Sequence, residues 1–113
     1  MKKINYLVGF ACMAVTALAF TSNVSAATGS VTLYDTYAFY EVDNRPYVTN
    51  LSMNCVYKYK DARNDIITEN DSASIRGVYL TNRIDANAHY VSYYGNITWY
   101  LNGYYDGAHS VQR

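Results

Sequence analysis

The chain contains little cysteine, proline or histidine. There are two cysteines, one proline and two histidines in 113 residues. Cys12 lies in an N-terminal apolar run, so Cys55 is the only cysteine in the rest of the chain, and an intrachain disulfide is excluded there. Small secreted domains often depend on disulfides, so we expect this one to depend on its hydrophobic core. Cys55 falls on the apolar side of a predicted strand and is expected to be a core residue.

The motifs of common catalytic and metal sites are also missing. His89 and His109 have no histidine, cysteine or carboxylate at a recognised metal-binding spacing. No Gly-x-Ser-x-Gly sequence and no glycine-rich phosphate loop is present. The acidic stretch from Asp61 to Asp71 lacks the residue order of a calcium-binding loop. We therefore expect no enzymatic activity, no metal and no cofactor.

Neither sign of charge dominates the sequence. Nine basic residues balance nine acidic ones, and Lys2 and Lys3 lie at the extreme N-terminus. Without those two lysines, seven basic residues remain against nine acidic ones, a net charge near minus two. No basic patch and no cationic amphipathic helix can be recognised. This pattern argues against nucleic acid as a partner and against membrane attack.

The first 26 residues have the composition of a secretory signal peptide of bacterial type. The basic pair Lys2-Lys3 precedes an uncharged apolar run from Tyr6 to Phe20, and the small residues Val24-Ser25-Ala26 follow. The apolar run is shorter than the roughly 20 residues that a membrane span needs. We expect cleavage after Ala26, with cleavage after Ala27 as the second choice. The processed protein would be secreted to the exterior of the cell, with no membrane span.

Removal of the first 26 of the 113 residues would leave 87, which is the size of one domain (residues 27–113). The clearest strand pattern runs from Tyr47 to Lys60. From Leu51 onward, odd positions are apolar and even positions are mostly polar, which is typical of a strand with one buried side. We expect the polar side of this strand to face solvent and any binding surface to lie elsewhere.

Other strands are indicated by shorter patterns. Val31 to Val42 is apolar on both alternating sides and is predicted to form an antiparallel hairpin with the Tyr47–Lys60 strand. Ile66-Ile67-Thr68 is predicted to be a short island before a polar break at Glu69–Ser72. A bulge at Gly77 would reconcile the alternation on its two sides.

The last third of the chain predicts a hairpin and a C-terminal strand. Gly95-Asn96 has the form of a two-residue hairpin turn. Asn102-Gly103 and Asp106-Gly107 are competing turn pairs, and the strand expected near Ala108 to Gln112 has no assigned partner. The fold class is therefore all-β, a small antiparallel sandwich or partly closed barrel of about six or seven short strands.

Tyrosine is the residue type in excess. The sequence has fourteen tyrosines, and all but Tyr6 lie after the predicted leader. Exposed tyrosines are common at protein contact surfaces, and their flat rings also stack on sugars. The possible binding surface consists of Tyr34, Tyr40, Tyr93 and Tyr100. The alternative is that these tyrosines fill the second side of a sandwich.

The function expected from these features is non-enzymatic binding at or outside the cell surface. A cell-wall glycan or another surface protein would each suit a tyrosine-rich face. The alternative is a secreted antagonistic peptide of the bacteriocin type, which the size and the predicted export also fit. The oligomeric state is left open.

Overall fold

The computed structural model of the protein describes residues 27–87 and 90–113. The predicted signal peptide and His89 lie outside these residues. The described chain contains seven strands and no helix, and so no helix that could cross a membrane. The strands are β1 (Thr28–Leu33), β2 (Tyr37–Asp43), β3 (Thr49–Lys60), β4 (Ile66–Gly77), β5 (Tyr79–Asp85), β6 (Val91–Leu101) and β7 (Tyr104–Gln112).

The strands form two antiparallel sheets that pack face to face. One sheet has three strands in the order β1-β2-β5, and the other has four in the order β4-β3-β6-β7. β1 packs over β6 and β7, and β5 packs near β4. The predicted fold class is confirmed: the protein is an all-β antiparallel sandwich of seven strands.

β3 lies inside the four-stranded sheet, and its inner side forms the centre of the core. The odd residues from Leu51 to Tyr59 are at most 2% exposed, which confirms the predicted orientation of this strand. Ala38, Tyr40 and Val42 from β2 and Ile97 from β6 complete the fully buried layer between the sheets.

The predicted hairpin between Val31–Val42 and β3 is wrong. This stretch contains two strands, β1 and β2, and the Tyr34 amide donates to the Tyr37 carbonyl (2.8 Å) in the turn between them. β2 pairs with β1 and β5, while β3 lies in the other sheet. Both odd and even positions of the stretch are apolar because the turn changes which of them face the core. An odd-numbered residue, Val31, is buried in β1, and an even-numbered residue, Ala38, is buried in β2.

The predicted break at Glu69–Ser72 is also wrong, because β4 is continuous from Ile66 to Gly77 and pairs with β3 along its whole length. β4 is polar because it is the edge strand and most of its residues are exposed. No bulge forms at Gly77. The alternation changes there because the chain passes at Val78 into the other sheet, where β5 begins.

Gly95-Asn96 is not a turn, since β6 passes straight through it. Gly95 lies opposite Tyr57 of β3, and a Cβ there would be 2.7 Å from Cγ1 of Val31. Glycine is required by the close approach of β1 from the other sheet.

The hairpin turn is Asn102-Gly103, with φ values of 52° and 84°, which are typical of a type I′ turn. It joins β6 to β7, the partner that the sequence left unassigned.

Candidate binding face

A β-bulge in β6 changes which of its side chains face outward. Tyr94 lies opposite Lys58, but Ser92 lies opposite the very next residue of β3, so Tyr93 is an extra residue in β6. Ser92 is buried, whereas Tyr93 and Tyr94 both lie on the outer side of the sheet. The ammonium of Lys58 is 5.6 Å from the Tyr94 ring centre, and that of Lys60 is 4.6 Å from the Tyr93 ring centre.

We call the side of the four-stranded sheet that faces away from the other sheet the outer face. Strand register places mostly uncharged amides and hydroxyls there. They are Asn50, Ser52, Asn54, Thr68, Asn70, Ser72, Ser74, Asn96, Thr98, Ser110 and Gln112. The charged side chains at outer positions are Lys58, Lys60 and Arg76, and no carboxylate of the described strands lies among them. The outer face is therefore neutral to cationic, although the processed chain would be acidic overall.

One end of the outer face contains a shallow groove with a volume of about 500 Å³. It is lined by Val56, Lys58, Tyr93, Tyr94, Asn96 and Gln112. Neighbouring side chains hold this lining in place: the Asn96 amide donates to Ser110 Oγ (2.7 Å), and the Tyr94 hydroxyl lies 3.2 Å from the same oxygen. The Gln112 amide donates to the Tyr93 hydroxyl (3.4 Å). The groove is thus preformed by contacts between β6 and β7.

Tyr93 and Tyr94 form one aromatic pair on the outer face, and a second aromatic pair lies further along the same sheet. Tyr100 of β6 is opposite Tyr105 of β7, and their ring centres are 6.3 Å apart in an edge-on arrangement. Tyr94 and Tyr100 are six residues apart on one strand, which corresponds to about 20 Å. Hydroxyl and amide side chains occupy the space between the two aromatic pairs.

Lys58 in the groove and Lys60 beside it form no salt bridge with a described acidic residue. The salt bridges within the described residues involve only arginines, and none includes Lys58 or Lys60. Their ammonium groups contact tyrosine rings instead, an interaction worth about 0.5–1 kcal/mol at an exposed site. Both charges are therefore available to a ligand without breaking an ion pair.

The structure separates the four tyrosines that the sequence suggested. Tyr93 and Tyr100 lie on the outer face, together with the polar side of β3 that was expected to lie apart from any binding surface. Tyr34 is 44% exposed in the β1–β2 turn, where its ring stacks on Tyr37 at 4.5 Å.

The expectation that Tyr40 could stand outside is wrong. β2 directs its side chain into the core, where it is fully buried and its hydroxyl donates to the Val56 carbonyl (2.8 Å). Burial raises its pKa far above that of an ordinary tyrosine. Sequence reasoning also missed Tyr94 and the two lysines as site residues, because simple alternation does not reveal the bulge that groups them.

Outside the outer face, the carboxylates of Asp61 and Asp71 accept hydrogen bonds from nearby residues. Asp61 accepts bonds from the amides of Arg63 and Asp65 in the β3–β4 turn, and Asp71 accepts from the Asn82 amide (3.1 Å). In the part of the chain that the structure describes, no three histidine, cysteine or acidic side chains converge as metal ligands would. His109 is exposed on β7.

Cys55 has a free thiol on the inner side of β3, where the residue is 1% exposed and belongs to the core. Burial raises its pKa to about 11, and a hydrogen bond from the Asn82 amide opposes this shift only in part. In a chain that begins at Ala27, and so lacks Cys12, we therefore expect a thiol reagent such as DTNB at pH 8 to leave native Cys55 unmodified and to titrate one thiol in urea. Rapid labelling without denaturant would contradict the buried placement of the thiol.

Comparison of the chain with protein-family models, with curated proteins and with solved structures finds no match. The fold and the face define a small antiparallel β-sandwich with a preformed aromatic and amide-rich groove on one sheet.

Proposed function

We propose that the protein is a secreted, non-enzymatic binding protein and that its outer face holds an extended glycan of the bacterial cell surface. The observation that carries this proposal is the composition of the outer face. Amides and hydroxyls surround Val56 at its centre, tyrosine pairs occupy two places along it, and no carboxylate of the described strands occupies an outer position. The leader-like first 26 residues support export.

A glycan fits this chemistry in several respects. Sugar hydroxyls both donate and accept, and asparagine, glutamine, serine and threonine side chains do the same. Tyrosine offers a large flat ring with a polar tip. The aromatic pairs are about 20 Å apart along β6, so an extended chain would contact both. Lys58 and Lys60 would tolerate neutral sugars and would also favour acidic groups.

A protein partner fits the face less well. The centres of protein interfaces are enriched in apolar and aromatic residues and depleted of charge. In contrast, the middle of the outer face has one aliphatic side chain, Val56, surrounded by polar side chains such as Asn54 and Asn96. The exposed aliphatic residues of this sheet are Ile66, Ile75 and Val91. Ile66 and Val91 lie at strand ends, and Ile75 lies opposite the inward-facing Leu51 rather than on the outer face. A glycan is therefore the ligand class that we propose.

The proposal is tested by binding of the purified protein to isolated cell walls and to soluble polysaccharides, measured by sedimentation and calorimetry. Replacement of Tyr94 by alanine removes a wall of the groove and should weaken binding about tenfold or more, which is at least about 1.4 kcal/mol. Tyr104→Ala is the matched control, because Tyr104 is 79% exposed in the β6–β7 hairpin beside the turn and does not line the groove.

Three results would count against the proposal. One is a lack of binding to any cell-wall fraction, and another is equal binding by the Tyr94 variant and wild type. The third is growth inhibition of related bacteria by a protein that binds no glycan, which would favour the antagonistic role. Unchanged binding by the Tyr104 control is required for interpretation of the Tyr94 result.

A further inference from the structure

The N-terminal end of the described chain is anchored to a carboxylate between the sheets. Ala27 is 6% exposed, and its backbone nitrogen donates to Oδ2 of Asp106 at 2.9 Å. The indole nitrogen of Trp99 donates to the same oxygen at 2.8 Å. These bonds join the residue before β1 to β6 and β7 of the opposite sheet.

Asp106 points inward because of a second bulge. Trp99 lies opposite Gly107, while Tyr100 lies opposite Tyr105, so Asp106 is an extra residue in β7. Its side chain is partly buried, and burial raises its pKa, although the bonds from Trp99 and Ala27 oppose that rise. None of the described lysines or arginines forms a salt bridge with it. Within the described part of the chain, the carboxylate thus has two neutral donors and no cationic partner.

We propose that cleavage of the leader after Ala26 supplies this cation, so that the new N-terminal ammonium of Ala27 forms an ion pair with Asp106 and fastens β1 to β7. The proposal rests on the export and cleavage put forward above. A signal peptidase would hydrolyse the Ala26–Ala27 peptide bond with one water. The hydroxyl goes to the carbonyl carbon of Ala26, and the nitrogen of Ala27 takes the hydrogen and then a proton from solvent.

The position of the Ala27 nitrogen favours the change from a neutral peptide amide to an ammonium group beside Asp106. An α-amino group has an ordinary pKa of about 7.7–8.0 and is mostly protonated at neutral pH. The ammonium can keep the existing bond to Oδ2 and adds a charge, and charge-assisted bonds are stronger than neutral ones. Cleavage after Ala27 would remove the donor altogether. The ion pair therefore distinguishes between the two cleavage sites that the sequence allows.

The test compares chains that differ only at the N-terminus. One begins at Ala27, the other keeps Ser25-Ala26 before it, and each is also made with Asp106→Asn, which preserves an acceptor for Trp99. Both sheets lie between Thr28 and Gln112, so all four proteins retain the seven described strands. Urea unfolding at pH 7 should give an unfolding equilibrium constant about tenfold or more higher for the extended chain than for the Ala27 chain.

In the Asp106→Asn background this difference should disappear. Equal stability of the Ala27 and extended chains, or a difference that persists without the carboxylate, would overturn the proposal. A second measurement is independent of stability: acylation of the α-amino group at pH 7 should be at least about tenfold slower in the native Ala27 chain than in urea. Equally fast acylation would also overturn the ion pair.

N-terminal sequencing of the exported protein tests the cleavage itself. A sequence that begins Ala-Thr-Gly supports the proposal, and any other N-terminus would overturn the role of processing. The glycan-binding measurements do not depend on that result, because the groove residues lie on the outer face of the sheet and Asp106 lies between the sheets.

Discussion

Replacement of Gly107 by alanine should lower the free energy of unfolding by about 3 kcal/mol, at the upper end of the usual cost of overpacking. A Cβ at this position would lie 2.4 Å from Cζ2 of Trp99. The indole cannot move away easily. On the β1 side, a Cβ at Gly29 would lie 2.3 Å from its Cε3 and Cζ3, and the indole nitrogen is bonded to Asp106. Two glycines on different strands therefore make the space for one tryptophan.

Gly77→Ala is the matched control for this prediction. A Cβ at Gly77 would meet only Cδ1 of Ile75 at 4.0 Å, so we expect a change within about 0.5 kcal/mol. Urea unfolding followed by tryptophan fluorescence measures both variants. The packing around Trp99 would be contradicted by a Gly107 variant as stable as wild type, or by equal losses in the two variants.

The second large effect is expected at Ser92. Its hydroxyl lies 2.6 Å from the hydroxyl of Tyr57, which is fully buried, and 2.5 Å from the Tyr34 carbonyl. Serine has one hydroxyl hydrogen. If that hydrogen goes to the carbonyl, the tyrosine must donate to Ser92. Ser92→Ala leaves the phenol and the carbonyl without this partner and should cost about 2 kcal/mol.

A double-mutant cycle isolates this interaction. Tyr57→Phe should cost clearly less in the Ser92→Ala background than in wild type, because the buried hydroxyl has already lost its partner there. Ser74→Ala, at an exposed position of β4, is the control for removal of a hydroxyl and should change stability by less than about 0.5 kcal/mol. Additive effects of the two core substitutions would show that the hydroxyls are not coupled.

The sequence predicts the all-β class and the orientation of β3 because alternation is a local property. Leu51 to Tyr59 is buried at every second residue, as its pattern indicates. The sequence predicts β4 less well. An edge strand needs no apolar run when its neighbour, here β3, pairs with it along its whole length. The error at Gly95 has a tertiary cause: that glycine resembles a turn residue, but its role is to admit Val31 from the other sheet.

The candidate face was predicted only in part for the same reason. The sequence indicates Tyr93 and Tyr100 as exposed aromatic residues, and both lie on the outer face. Tyr94, Lys58 and Lys60 join them because the bulge adds one residue to β6 at a point that only the pairing with β3 defines. Exposure of tyrosines could not be separated from burial by sequence, as Tyr40 in the core illustrates.

The position of β4 at the edge of the four-stranded sheet affects how two copies of the protein would associate in solution. A long edge strand is a template on which another chain can add a strand, and natural sheets oppose this with charges that point inward. Glu69 and Asp71 lie at inward-facing positions of β4, opposite Tyr57 and Cys55. A second copy that extended the sheet at this border would bring more carboxylates beside these. We expect Glu69 and Asp71 to disfavour such edge-to-edge association of two copies.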